Sequence, residues 1–437
     1  MKIIDASDIA AAKQELLKIR LQRRNSELEA YVKEIIRKVQ TEGDAALIEF
    51  TKKFDKVSLN AESLKVSRQE INEAYTRVTK DQIRALESIK KRLEAVERRL
   101  LGRVSVTVKI GGVQIDFCIR PLQRVGCYVP GGKAAYPSTL LMTVVPALVA
   151  GVSNIVVCSP PDRSGSLNSL TLVAADICGV NEIYKVGGPQ AIAAMAYGTE
   201  TIKPVNKIVG PGNIYVATAK VLVSRDVAID FPAGPSELLV LADETANPRY
   251  IALDICAQAE HGPDSIVGLI TTSRSLAKKA LLDIENISKS TPRREIVAKA
   301  LLDNGFIAVC KTLDGMVELT NSFAPEHVEL MLKNPEKVVD RIFTAGIILV
   351  GPYSPASLSD YHGGTNHVLP TGGYGKFFSA LSCLDFVKRV AVFKCSRNGL
   401  LKAIEHVKSL SEAENLPGHF KAVKERINVE KSSLEVG

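Results

Sequence analysis

Histidine is absent from the first 260 residues of this 437-residue chain, and all six copies lie beyond that point. The eight cysteines contain no CxxC pair and sit mostly in apolar runs such as Ile155-Val-Val-Cys158 and Ile307-Ala-Val-Cys310. That argues against a disulfide framework and for buried free thiols in a reducing cytoplasm. No run has membrane-spanning length: the most apolar stretch, Leu140 to Val152, is too short and contains Pro146. The beginning, Met1-Lys-Ile-Ile-Asp, lacks the basic region, apolar run and cleavage site of a signal peptide, so a cytoplasmic protein without a membrane partner is expected. Basic clusters such as Lys90-Lys91-Arg92 and Arg293-Arg294 have no aromatic residues among them. The net charge of +8 therefore reads as solvated helix faces and not as a nucleic-acid surface, while still favouring an anionic ligand such as a dinucleotide.

What is present is an alternating pattern. Residues 7 to 101 carry helical periodicity, with starts such as Ser67-Arg-Gln-Glu70 that match a capping box. Short β-rich runs begin near Val104. From Arg124 apolar runs end at glycines and feed helix-like segments: Val125-Gly-Cys-Tyr128, Asn154 to Cys158, Glu182 to Gly188, and Lys207-Ile-Val-Gly-Pro-Gly212. A second series follows at Leu238, Ile266, Ile307 and Ile347. Such alternation predicts an α/β fold with two related, mostly parallel sheets, although no residue-level repeat is visible. The stretch from Gly351 to Tyr374 is rich in Gly, Pro and Ser and reads as a long functional loop. Helices return from Arg397 to Lys431.

Four short polar segments collect most of the histidines: Gln258-Ala-Glu-His261, Pro325-Glu326-His327, Asp360-Tyr-His362-Gly-Gly-Thr-Asn-His367 and Glu414-Asn-Leu-Pro-Gly-His419. Gln258 and His261 are three apart at the end of a helical run that Gly262-Pro263 stops, so both are expected on one face of its last turn. Alone they also fit an ordinary surface pair. Asp360 and His419, each expected on irregular backbone, would complete a nitrogen and oxygen donor set suited to zinc. Glu326 and His327 are expected at a helix start, where one could take a proton from an alcohol and the other activate water; a first-turn acid beside a packing histidine reads equally well. Glycine turns at Gly131-Gly132, Gly187-Gly188 and Gly210-Pro-Gly212 stand at strand ends where nucleotides bind. None completes GxGxxG, since Tyr215 holds the third glycine's place.

These segments, together with Val125-Gly-Cys-Tyr-Val-Pro-Gly-Gly, Gly187-Gly-Pro-Gln-Ala-Ile-Ala-Ala, Pro232-Ala-Gly-Pro-Ser-Glu and Gly364-Thr-Asn-His-Val-Leu-Pro-Thr, resemble the histidinol dehydrogenase family over essentially the whole chain. The resemblance implies two-step oxidation of L-histidinol to L-histidine through the aldehyde, with NAD as oxidant and one zinc per subunit. It implies Gln258, His261, Asp360 and His419 as zinc ligands, His419 coming from the other subunit of a homodimer with shared sites. Glu326 and His327 match the acid-base pair, Tyr128, Gln190 and Asn213 the NAD contacts, and Ser236 and Glu414 substrate contacts alongside Gln258, His261, His327, Asp360 and His419. Ser359 stands where glycine is expected before Asp360, and Ile266 where glutamine is usual.

The expected layout is two related, incomplete Rossmann-like domains with helical N-terminal and C-terminal extensions. Residues 1–24 would form a helical arm, 25–127 with 238–380 the first α/β domain, 128–237 the second, NAD-binding domain, and 381–437 a helical dimerisation segment. The rival readings are a related zinc and NAD enzyme acting on another polar alcohol, a zinc hydrolase with Glu326 activating water, and a non-catalytic metal-binding assembly subunit.

Overall fold

The computed structural model describes residues 1–21, 26–131 and 136–433. Gly132 of the first glycine turn and residues 22–24 of the expected arm lie outside the described residues. The chain forms two compact units, one of Met1–Arg99 with Leu122–Phe386 and one of Leu100–Pro121 with Val387–Gly437.

Numbered along the chain, the first series of apolar runs gives β4 (Arg124–Tyr128), β5 (Asn154–Cys158), β6 (Glu182–Tyr184), β7 (Lys207–Val209) and β8 (Ala228–Ile229). They pair in the order β6-β5-β4-β7-β8, every neighbour parallel. The second series gives β9 (Glu237–Ala242), β10 (Ile266–Thr271), β11 (Gly305–Cys310), β12 (His327–Met331) and β13 (Ile347–Val350). With β1 (Lys2–Ala6) they pair in the order β1-β11-β10-β9-β12-β13, again parallel throughout. Within each series the order is third, second, first, fourth, fifth strand. That is the doubly wound order of a Rossmann sheet lacking its sixth strand, which makes the two sheets related in topology as well as texture. Every residue of β9 to β12 is buried. Continuous apolar runs are what a parallel sheet covered on both faces requires.

Three boundaries differ from the sequence reading. Lys2–Ala6 forms the edge strand β1 against β11, and the arm's helix starts only at Ile9. A five-residue run carries too little periodicity to reveal a partner some 300 positions away. The helices Ser26–Glu42 and Asp44–Phe54 pack Val32, Ile35, Val39, Leu47 and Phe50 onto Tyr128, Val156 and Ile192, hence onto the five-stranded sheet, to which β4 also belongs. An amphipathic helix announces its apolar face but not which sheet will bury it.

The second unit contains an antiparallel sheet of β2 (Val106–Ile110), β3 (Val113–Pro121) and β14 (Val387–Cys395) in the order β14-β3-β2, followed by the helices Arg397–Ala413 and Pro417–Ser433. β14 thus places a strand in a segment expected to be helical. All eight cysteines are unpaired, six of them buried. Among the described residues no helix is long and apolar enough to cross a membrane.

Candidate active site

The Glu326-His327 pair does not open a helix. The preceding helix, Leu313–Phe323, ends with Ala324 in the left-handed region at φ 50°, and His327 is the first residue of β12. The sequence His-Val-Glu-Leu-Met, with acids near its start, mimics a helix's first turn. Its alternation instead places His327 and Glu329 on one face of a central strand and Val328 and Leu330 on the other.

One residue holds both members of the pair. The backbone N–H of Glu237, at the start of β9, donates to Glu326 Oε2 at 2.8 Å, and His327 Nδ1 lies 3.2 Å from the Glu237 carbonyl oxygen. A carbonyl can only accept, so this bond puts a proton on Nδ1 and leaves Nε2 as the basic nitrogen of the neutral ring. The Glu237 carboxylate in turn accepts from Gly372 N at 3.1 Å, fixing the loop beyond Asp360. Glu237 closes the motif Pro232-Ala-Gly-Pro-Ser-Glu, whose residue types assign it no role. Its work is done largely by backbone atoms, which leave no signature in residue type.

His327 Nε2 faces Asp360 Oδ1 at 3.8 Å, too far for a hydrogen bond, and neither atom has a hydrogen-bond partner although both are buried. His367 Nδ1 stands 4.0 Å from the same carboxylate oxygen, and its Nε2 is 3.3 Å from Thr139 Oγ1. Burial opposes the charged form of His327, yet the Glu326 and Asp360 carboxylates outweigh it and raise its pKa well above the ordinary value. Burial alone would raise the Asp360 carboxyl, but His327, then His367 and His261, draw it below the usual carboxylate range. Burial lowers His367 despite Asp360. His367, left without a role by the sequence, is therefore part of this cluster, whereas His362 is exposed.

Asp360 sits in a single π-helical turn, Ser359–Gly363, a distortion frequent at functional positions. Ser359 adopts right-handed helical angles of φ −57° and ψ −46°, so nothing there requires glycine, and its hydroxyl is 2.8 Å from Thr365 Oγ1. Asn366 Nδ2 donates to the Met142 carbonyl at 2.7 Å, tying this loop to the helix Pro137–Ala150.

Gln258 is buried in the last turn of the helix Pro248–Ala259, while His261 lies beyond its end and is exposed. The two are therefore not both helical, as expected, because the helix stops at Glu260, before Gly262. His419 also departs from expectation: it occupies the first turn of the helix Pro417–Ser433, and Glu414 caps the helix before it, both in the second unit. Half-buried Ser236 precedes β9 and accepts Ile266 N at 2.9 Å. Among the described residues no cluster of three or more His, Cys, Asp or Glu is arranged to hold a metal. The expected set draws only His261 and Asp360 of those types from the first unit, with Gln258 as its third donor. Asp360 Oδ1, charged, buried and lacking a hydrogen-bond partner, has the chemistry of a metal-binding oxygen, so these residues fit a divalent ion.

The expected nucleotide positions gather at the carboxyl ends of the five-stranded sheet. Tyr128 ends β4 and is almost wholly buried; its hydroxyl accepts Gly188 N at 3.1 Å. Gly188 has φ +64°, and the buried Gln190 Oε1 beside it has no hydrogen-bond partner. Asn213 caps the helix Ile214–Val223 by accepting from Tyr215 N at 3.0 Å and Val216 N at 3.1 Å. Before it, Gly210 has φ +115°, and a Cβ there would overlap the Tyr128 carbonyl oxygen. Both polar groups of Gly210 are clamped: its N–H donates to Asp230 Oδ2 at 2.8 Å and its carbonyl accepts from Lys220 Nζ at 2.9 Å. Lys220 and Asp230 form a fully buried ion pair beneath the turn. Tyr128 and Gly210 stand on β4 and just past β7, the strands between which the order reverses, where open α/β sheets bind ligands. The orphaned Gln190 oxygen, at the strand ends where open sheets bind ligands, fits a dinucleotide.

The family model described as histidinol dehydrogenase matches residues 18–427. The histidinol dehydrogenase of Methanothermobacter thermautotrophicus is 45% identical over 396 residues, 91% of this chain and 92% of the relative. That of Clostridium acetobutylicum is 45% identical over 410 residues, 94% and 95% of the two chains. The crystal structure of histidinol dehydrogenase from Elizabethkingia anophelis is similar with a TM-score of 0.89 at 38% identity, covering 93% of this chain and 94% of that one.

Proposed function

The chain belongs to the histidinol dehydrogenase family, and from that premise we propose that it oxidises L-histidinol to L-histidine through L-histidinaldehyde, as a cytoplasmic, zinc-dependent and NAD-linked enzyme of histidine biosynthesis. The observation that carries the reading is the pair of buried, partnerless atoms His327 Nε2 and Asp360 Oδ1, facing each other at 3.8 Å. A base and a metal-binding oxygen so close would let a held alcohol meet both. Zinc would be held by Gln258, His261 and Asp360 of one subunit and His419 of the partner subunit in a homodimer.

When bound, zinc would anchor the imidazole and amino group of the substrate, and NAD would accept hydride. A cation held by Asp360 would offset the carboxylate charge that raises His327, so that Nε2 is free to take the hydroxyl proton while Nδ1–H stays on the Glu237 carbonyl and fixes the ring. The positive charge gained by the ring is matched by Glu326, whose Oε2 is 3.5 Å from Nδ1. Glu326 then takes a proton from water attacking the aldehyde while His327 returns its proton to the carbonyl oxygen, which frees His327 to serve again as base for the hydrate as a second NAD accepts hydride. Ser236 and Glu414 would contact substrate, and Tyr128, Gln190 and Asn213 would secure the dinucleotide. A thiol nucleophile is not required, and burial pushes the Cys127 and Cys178 thiols up to about 12.

Zinc-loaded protein given NAD and L-histidinol is expected to form two NADH per histidinol; no NADH at all would sink the proposal. For the shared site, inactive His419→Ala and His327→Asn homodimers should regain activity when unfolded together and refolded, because mixed dimers contain one intact site. Continued inactivity of verified mixed dimers would refute a ligand from the partner subunit.

A further inference from the structure

Beneath the site lies a buried carboxyl group that the reaction does not use. Glu329 is 2% exposed on β12, two residues from His327 and on the same strand face. Its Oε1 accepts a 2.8 Å hydrogen bond from Ala356 N. Ala356 begins the short helical turn Ala356–Leu358, which runs directly into the π turn holding Asp360. The carboxyl of Asp254 faces Glu329 from the helix Pro248–Ala259, one turn before Gln258. The segments bearing His327, Asp360 and Gln258 thus converge on one side chain.

We propose that Glu329 is a positioning residue, which through Ala356 N and Asp254 sets the spacing of His327, Asp360 and Gln258. This rests on the proposed reading for what the spacing serves, but not for the junction itself. Two carboxyl groups facing each other in a buried place are compatible only when they share a proton. Burial, then Asp254, raises Glu329 to about 8, and burial raises Asp254 to about 6. One proton shared between the two keeps a second net charge away from His327, and Glu329 Oε2, buried without a hydrogen-bond partner, is the oxygen left to carry it.

The test compares Glu329→Gln with Glu329→Leu. Glutamine keeps an oxygen for Ala356 N and offers an N–H to Asp254, whereas leucine fills similar space and leaves the Ala356 N–H without an acceptor. Amide exchange in residues 356–363 is expected to speed up roughly tenfold or more in Glu329→Leu and to match the wild type in Glu329→Gln. In the NADH assay the leucine variant should lose roughly tenfold or more in kcat and hold zinc more weakly against a chelator, with glutamine restoring both. Unchanged exchange in the leucine variant overturns the proposal; so does a glutamine variant as impaired as leucine, which would make charge the operative property. If Glu329→Leu does not fold, Glu329→Met gives the same comparison with a more adaptable side chain. Exchange is read without substrate, so a wild type inactive on histidinol would end the functional reading and leave this result standing.

Discussion

His327→Asn is expected to lower histidinol-dependent NADH formation by about 10²–10⁴-fold, with zinc content and the unfolding midpoint nearly unchanged. Asparagine is the informative replacement because its amide nitrogen takes the place of Nδ1. It can keep the bond to the Glu237 carbonyl, 3.2 Å from Nδ1 in the native chain, while nothing replaces Nε2. The variant therefore separates holding the ring from accepting the proton. His327 lies wholly inside the protein, so alanine would add a cavity to the chemical loss and confuse the two. Wild-type kcat in a zinc-loaded His327→Asn enzyme would remove His327 from the mechanism. Lost activity together with lost zinc would show that the substitution had disturbed Asp360 as well.

Asp230→Ala is expected to destabilise the fold by about 3–5 kcal/mol, read as a lowered urea midpoint, because it strands the Lys220 ammonium in a dry interior. Lys220 and Asp230 side chains are 1% and 0% exposed, and burial pulls the Lys220 pKa down against the attraction of Asp230. The same change takes acceptors from Gly210 N and Phe231 N, bonded to Asp230 at 2.8 and 2.7 Å. Replacing both partners with apolar groups, as Lys220→Met with Asp230→Leu, should recover much of the stability because no charge is left unpaired. It should not recover the turn, whose Gly210 N–H and carbonyl would still lack partners. NADH is therefore expected to bind the double variant roughly tenfold or more weakly. An Asp230→Ala midpoint equal to that of the wild type would show that the pair does not support the fold.

Both parallel sheets could be read from the chain because Leu238-Leu-Val-Leu, Ile266-Val-Gly-Leu-Ile and their counterparts are continuous apolar runs closed by turn residues. Strand order could not, since pairing is decided by packing between segments far apart, as with Lys2–Ala6 and β11. Histidine and carboxylate clustering pointed to Asp360 and His327, whose facing ring and carboxylate atoms lie 3.8 Å apart. The helix expected at Pro325 was wrong for a local reason: Glu329 is an acid turned inwards, and an acid at such a position reads as the polar face of a helix. Glu237 and Glu329 went unassigned for the same cause, as each acts through buried hydrogen bonds to backbone that composition does not register.

The proposed acid-base pair and the proposed nucleotide positions use equivalent central strands of two like sheets, but from opposite ends. Glu237 and His327 stand at the amino ends of β9 and β12, whereas Tyr128 and Gly210 stand at and just past the carboxyl ends of β4 and β7. This reversal fixes the sign of the field that the helices supply. The helices Gly188–Tyr197 and Ile214–Val223 present their amino ends, with partial positive charge, to the expected dinucleotide phosphates. The helix Pro248–Ala259 presents its carboxyl end, with partial negative charge, beside Gln258 and His261 where a cation would sit. Two copies of one topology thus offer opposite edges, one lined by positive helix ends and the other by a negative one.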